Sequence, residues 1–334
     1  MQLSDSTPEL PSDFDEELAA TVSRLFWLDD QSKIEIADQL KLSRFKVARI
    51  LEDARRYGIA RIEIVEPTQR IERLAEQVRT TYGLRDVRIS TLPMGSPGGL
   101  AGLGATAAAY LDEHVAPGMT VGVGWGSTLA EVVGHLSPSG PADVLQLAGG
   151  FASSDSDFNG AHLVLQAASA LQGEPYLLHA PALVSNASAR NVLRGDETIA
   201  RTAARYADLD IIVTGVGVRR ADMKSALYRG NVLSTSVHAE LKRRHVVGDA
   251  CCHFIDSDGR IIEALAERVT GVSIDEIRAT PIRMAVAGGG EKEGPIRAAL
   301  RSGLPNVLVT DIATARALSE SSTRPDSHDR EKSA

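Results

Sequence analysis

Thr120-Val121-Gly122-Val123-Gly124-Trp125-Gly126-Ser127-Thr128-Leu129-Ala130-Glu131 reads as a short apolar strand, a glycine-rich loop and a helix opened by Ser127-Thr128. That geometry suits an anion. Glycines let backbone N–H groups approach a ligand closely, the hydroxyls donate further hydrogen bonds, and a helix N-terminus carries partial positive charge. Many α/β domains turn from strand to helix through glycine without binding anything, so the surrounding sequence has to decide.

Outward from this stretch, strand and helix patterns alternate. Strands are expected near 87–89, 144–147, 175–178, 211–214, 251–255, 283–286 and 307–310. Helices are expected near 104–115, 161–171, 197–206, 237–244, 295–302 and 312–318. Such alternation implies a parallel sheet covered on both faces, here over residues 84–319. Three more of these strands end in glycine: Leu147-Ala148-Gly149-Gly150, Thr214-Gly215-Val216-Gly217 and Ala287-Gly288-Gly289-Gly290-Glu291-Lys292. Ligands of open parallel sheets bind outside the carboxyl ends of the strands. Four glycine loops at that edge, with Ser127, Thr128 and Lys292, favour a phosphorylated or carboxylated small molecule. No glycine run has the form of a nucleotide-binding P-loop, and no acidic residue is placed for a dinucleotide ribose. Asp249, read as lying just before a strand, is a candidate for hydrogen-bonding sugar hydroxyls. His253 lies inside an apolar run and is expected to pack, and Asp258-Gly259 reads as a hairpin turn. No Ser-His-Asp constellation and no metal-ligand spacing emerges, so neither a catalytic residue, a metal nor a cofactor is expected.

Upstream of the sheet the text changes. Leu18, Val22, Leu25 and Phe26 form one apolar helical face. Ser32 and Glu35 compose a capping box for a second helix carrying Ile36, Ala37 and Leu40. Lys41-Leu42-Ser43 then turns into a third helix, capped by Ser43, with Val47, Ile50, Leu51 and Ala54 inward. The alternating stretch at 60–65 reads as a wing. Two helices joined by a short turn and followed by a wing is the helix-turn-helix signature. Arg44, Lys46, Arg49, Arg55, Arg56 and Arg61 face only Glu52 and Asp53 there, although the whole chain carries a net charge of −8. The positive charge thus sits where DNA phosphates would lie.

A length of 334 residues predicts about two domains. The expected organisation is a disordered arm (1–14), a winged helix-turn-helix domain (15–66), a linking helix suited to dimer contacts (67–83), an effector domain (84–319) and a disordered tail (320–334). The acidic N-terminus is unlike a signal peptide and no apolar run is long enough to span a membrane. Cys251 and Cys252, the two cysteines, form no disulfide framework, which points to a reducing cytoplasm. They read as small core residues on a strand.

Taken together these motifs resemble the SorC family of bacterial sugar-responsive transcriptional regulators, over about 17–318. The N-terminal match lies in Ile36-Ala37, Leu40, Leu42-Ser43-Arg44, Val47, Arg49-Ile50-Leu51 and Gly58-Ile59. The longer match comprises Val121 to Leu129, Leu147 to Gly150, Ala180 to Val184, Gly215 to Gly217, Gly248-Asp249, Phe254 to Gly259, Arg268-Val269 with Gly271, Ala287 to Lys292 and Leu308 to Asp311. The resemblance implies a winged helix-turn-helix joined to a Rossmann-like domain of the sugar-phosphate-isomerase type, used for sensing rather than turnover. An isomerase-like enzyme with an appended DNA-binding module is the alternative. Implied partners are operator DNA of a carbohydrate-metabolism operon, a sugar-phosphate effector and further copies of the chain, as dimer or tetramer. On the helix-turn-helix reading the expected DNA contacts are Lys33, Ser43, Arg44, Phe45, Lys46 and Arg49, with Phe45 available for a thymine methyl. Implied effector contacts are Gly124, Gly126, Ser127, Thr128, Gly149, Gly150, Asn159, Gly215, Gly217, Asp249, Gly289 and Lys292. The chain departs from the family pattern at Lys41, where many relatives have glycine, and at Lys33, where glutamine is common. The stretch Phe151-Ala152-Ser153-Ser154-Asp155-Ser156-Asp157-Phe158 is acidic and aromatic where the family often shows a further glycine and sometimes arginine, which favours a singly phosphorylated or unphosphorylated sugar or polyol over a bisphosphate.

Overall fold

The computed structural model describes residues 14–60, 68–137, 140–150, 160–219, 228 and 233–320. The expected wing, Asn159, the acidic 151–158 stretch, most of the N-terminal arm and nearly all of the tail lie outside the described residues. The chain divides into two compact units, Met1–Val65 and Glu66–Ala334.

In the first unit, helices Glu16–Trp27, Lys33–Leu40 and Arg44–Arg56 pack around Val22, Ile36, Val47 and Leu51. Each has its own polar start. Asp15 accepts from the Leu18 amide at 2.9 Å and Ser43 from the Lys46 amide at 3.1 Å. Ser32 and Glu35 complete the expected capping box, and the Ser32 amide holds the Glu35 carboxylate below its usual pKa. Lys41 stops the second helix in a left-handed conformation, φ 53° and ψ 42°, with its amide on the Ala37 carbonyl. A side chain there costs about 1 kcal/mol relative to glycine.

The second unit is built on a seven-stranded sheet. Its strands are β1 (Asp86–Ser90), β2 (Thr120–Val123), β3 (Asp143–Gln146), β4 (Pro175–Tyr176) and β5 (Ile211–Gly215). After two short-range strands, β6 (Gly217–Val218) and β7 (Val246–Ala250), and their partner β8 (His253–Asp256), the sheet resumes with β9 (Ile282–Val286) and β10 (Val307–Asp311). The order is β1-β10-β9-β5-β2-β3-β4, every pair parallel. From β2 the chain winds outward to β3 and β4; from β5 it winds the other way to β9 and β10. The boundary between β2 and β5 is therefore the topological switch point.

Alternation along the strands feeds two cores. Val121, Ile211, Val213, Met284 and Val309 pack with helices Gly99–His114, Ser127–Gly134 and Gly160–Ala170. Ile212, Ala285 and Leu308 pack on the other face with helices Thr68–Tyr82, Glu293–Arg301 and Ile312–Glu320. Because both faces are covered, the strands read as continuous apolar runs.

The structure differs from the sequence reading in several places, and the short helices Glu263–Ala266 and Ile274–Ala279 lie outside the expected set. Helix Gly99–His114 starts earlier than the expected position 104. A further surface helix, Ala187–Arg194, buries no residue fully and so leaves little apolar signal. The expected strand at 251–255 is split: Cys251 (φ 50°) and Cys252 (φ 65°) form the turn between β7 and β8, in a separate antiparallel sheet ordered β6-β7-β8. Asp249 accordingly lies within β7 rather than before a strand. Among the described residues no helix is long and apolar enough to cross a membrane.

Candidate functional site

The opening stretch and the Gly215–Gly217 turn follow β2 and β5, so both lie at the switch point. Gly126 caps helix Ser127–Gly134 with φ 120°, a conformation a side chain would strain, and it offers no side-chain acceptor of its own. Its carbonyl takes the Leu129 and Ala130 amides, both at 3.0 Å. The preceding amides, of Ser127 and Thr128, belong to the first turn, whose N–H groups have no intrahelical acceptor and sit at the positive end of the helix. Ser127 is exposed and Thr128 buried. Trp125 is half-buried and packs against the cluster containing Ala148, Tyr228 and Phe254.

Other glycine amides of the rim are used within the fold. The Gly124 amide donates to Val213 O at 3.0 Å, tying the loop to β5. Gly150 donates to Ala180 O at 2.8 Å and its carbonyl accepts from Ala182. Gly289 donates to Asp311 Oδ2 at 2.6 Å and to Thr314 Oγ1 at 3.0 Å. Asp311, 1% exposed, also accepts from the Thr314 amide and hydroxyl, so one carboxylate caps helix Ile312–Glu320 and pins the loop leading to Lys292. Its signal in the sequence was an acidic residue at a strand end with threonine three positions later, the spacing of an N-cap.

Gly217 pairs with Asp249 across β6 and β7, and a Cβ on Gly217 would stand 2.0 Å from Asp249 Oδ1. Only glycine leaves room for that carboxylate. Asp249 is buried; its Oδ1 and the Tyr228 hydroxyl make no hydrogen bond of normal geometry among the described residues, yet the hydroxyl lies near enough to favour the carboxylate. Burial pushes the Asp249 pKa up to about 6, against the opposing pull of Tyr228, the Cys252 amide and Lys292. Lys292 ends the short helical turn Gly290–Lys292 after β9. Burial lowers its pKa, while the Asp249 charge raises it. The fold thus brings Asp249 and Lys292, 43 positions apart in sequence, within electrostatic reach of each other.

His253 packs, as its apolar setting suggests, with Nε2 2.9 Å from Val272 O, and burial lowers its pKa to about 4. These two buried groups act oppositely on stability. Between about pH 4 and 6 folded Asp249 holds a proton that the unfolded chain has released, so its contribution falls as pH rises. His253 in the folded chain refuses a proton that the unfolded chain takes below about 6.5, so its contribution is lost as pH falls toward 4. Asp249→Asn removes the first effect and leaves the second. Urea unfolding at a series of pH values should show this variant losing stability more steeply than wild type from pH 6.5 down to 4; parallel profiles would contradict the assignment.

In the first unit Arg44, Phe45, Lys46 and Arg49 are exposed on helix Arg44–Arg56. Arg49 reaches Asp53 at 3.8 Å with its side chain 84% exposed, a geometry that holds it weakly. Ser43 spends its hydroxyl on the cap. Lys33 Nζ lies 5.6 Å from the Phe26 ring centre, a cation–π contact within the unit.

Residues 66–319 match the family described as "Putative sugar-binding domain". Over 307 residues the chain is 31% identical to the deoxyribonucleoside regulator of Bacillus subtilis, covering 91% of this chain and 97% of that one. The full-length sorbitol operon regulator SorC from Klebsiella pneumoniae superposes with a TM-score of 0.67 at 26% identity, over 91% of this chain and 99% of that structure. The chain belongs to the SorC family. A domain of a possible sugar-binding transcriptional regulator from Arthrobacter aurescens, 28% identical, gives the same TM-score over 77% of this SorC-family chain. The SorC-family sheet and the switch-point loops described above thus occupy the matched region.

Proposed function

We propose that this chain is a transcriptional regulator whose affinity for the operator of a carbohydrate-metabolism operon is set by a singly phosphorylated sugar or polyol. One observation carries the reading: helix Ser127–Gly134 begins at the switch point, whose loop residue Gly217 packs against Asp249, a carboxylate with Oδ1 unpaired among the described residues and Lys292 within electrostatic reach. The phosphate sits on Ser127, Thr128 and the Gly126 turn, Lys292 neutralises it, and Asp249 takes a sugar hydroxyl. Asn159 supplies a second hydroxyl contact, and Gly149, Gly150, Gly215, Gly217 and Gly289 shape the walls. Asp155 and Asp157 oppose a second phosphate. Lys33, Arg44, Phe45, Lys46 and Arg49 face operator DNA, and the chain works in the cytoplasm as a dimer or tetramer.

A thermal-shift screen of sugar monophosphates, with the bisphosphates as controls, tests the effector. A ligand at 100 times its Kd adds about 2.7 kcal/mol of stability. The same ligand should change the retention of promoter DNA in a mobility-shift assay. Tight binding of a bisphosphate with no response to any monophosphate would overturn the reading of the pocket.

The Asp249 pKa of about 6 supports a second reading, a sugar-phosphate isomerase with an appended DNA-binding module, since such a carboxyl is poised for proton transfer near neutrality. Conversion of a bound aldose phosphate to its ketose would favour it. Binding without turnover excludes that substrate.

A further inference from the structure

We infer that Phe45 is the base-reading side chain of the recognition helix and that it reads the 5-methyl group of a pyrimidine, thymine in ordinary DNA. The inference rests on the operator-binding reading above and narrows it to one side chain and one chemical group. Helix Arg44–Arg56 buries Val47, Leu51 and Ala54. At 100° per residue, the face directly opposite those three carries Phe45, Arg49 and Arg56. Phe45 is 87% exposed, more than Leu28 (75%), Val192 (73%), Ile34 (57%) or Leu165 (47%). It makes no ring contact among the described residues.

The ring lies in the first turn after the Ser43 cap, and first-turn residues of a recognition helix are those that reach base edges. Phenylalanine has no donor or acceptor, so it cannot read the nitrogen and oxygen pattern of the groove. The one apolar group that a base presents on the major-groove floor is the thymine methyl. Arg44 and Lys46 flank the ring in sequence and Arg49 lies one turn along, so the apolar tip sits within a set of cations matched to phosphates. The same cations argue against a second copy of this face as the occupant, because two such faces would bring like charges together. A methyl reader responds to 5-methylcytosine as it does to thymine, so methylation of a cytosine at that position would restore binding.

The test begins by selecting duplexes from a random library with the full-length chain. In the selected duplex each thymine is then replaced singly by deoxyuridine, or by cytosine with and without its 5-methyl group. At one thymine per half-site, loss of the methyl should weaken wild-type binding about four-fold, the factor of one buried methyl. Phe45→Ala should bind the thymine and uracil duplexes equally, with a salt slope unchanged from wild type, and Phe45→Leu should recover part of the discrimination. If the wild type selects a sequence and Phe45→Ala selects the same one with unchanged methyl sensitivity, the inference fails while operator binding stands. If the wild type selects nothing, both fail. If Phe45→Ala alters the mass of the assembly in light scattering but not base preference, Phe45 is a contact between copies and the inference is overturned.

Discussion

Asp311→Ala should unfold about 3 kcal/mol more easily than the wild type, because it strips acceptors from three donors in a closed part of the fold. The carboxylate is 1% exposed and takes the Gly289 amide at 2.6 Å, the Thr314 amide at 3.1 Å and the Thr314 hydroxyl at 2.8 Å. Only the Gly289 amide keeps a second partner, Thr314 Oγ1. In a unit of this size the melting temperature should fall by roughly 6–12 °C. The loss should not be purely global. Asp311 also holds the loop that delivers Lys292, so the stabilisation gained from a sugar phosphate should shrink further than the lower baseline explains. Asp311→Asn keeps one acceptor but turns an NH2 group toward the donors, and should fall between. Calorimetry with and without ligand measures both effects. A wild-type melting temperature in Asp311→Ala would remove this residue from the account.

The second large effect concerns DNA. Arg44→Ala combined with Arg49→Ala should weaken promoter binding about 100-fold at low salt, roughly 1–3 kcal/mol for each guanidinium removed. If both bind phosphates, the salt slope should drop by about 1.8, or 0.9 per phosphate. Thermal stability should be unchanged, because the Arg49–Asp53 pair is exposed and long at 3.8 Å. Arg24→Ala, on another helix of the same unit, serves as a charge control. Undiminished binding by the double variant would place the interface elsewhere.

Local chemistry carried most of what could be read from the residues alone. Ser32 with Glu35, and Ser43 before Arg44, announce helix starts through hydrogen bonds spanning only three positions, so a linear reading finds them. The apolar strands followed by glycine likewise mark the sheet and the edge where its loops gather. Non-local pairing was hidden. Gly217 is glycine because Asp249, 32 positions later, fills the space its side chain would need. The Gly150 and Gly289 amides look available until Ala180 and Asp311 are seen beside them. The Cys251-Cys252 turn lacks the asparagine or glycine that announces a two-residue hairpin, so it reads as strand. Helix Ala187–Arg194 lies on the surface, where the core imposes little pattern.

That hairpin turn has one more property. Cys251 and Cys252 are the whole thiol content of the chain, both are buried, and burial raises the Cys251 pKa to about 12 and that of Cys252 well above its usual value. Native protein should consequently react with a thiol-labelling reagent only through opening of the hairpin. The rate of labelling is then a clock for local opening beside Asp249, built into the wild-type chain and needing no introduced probe.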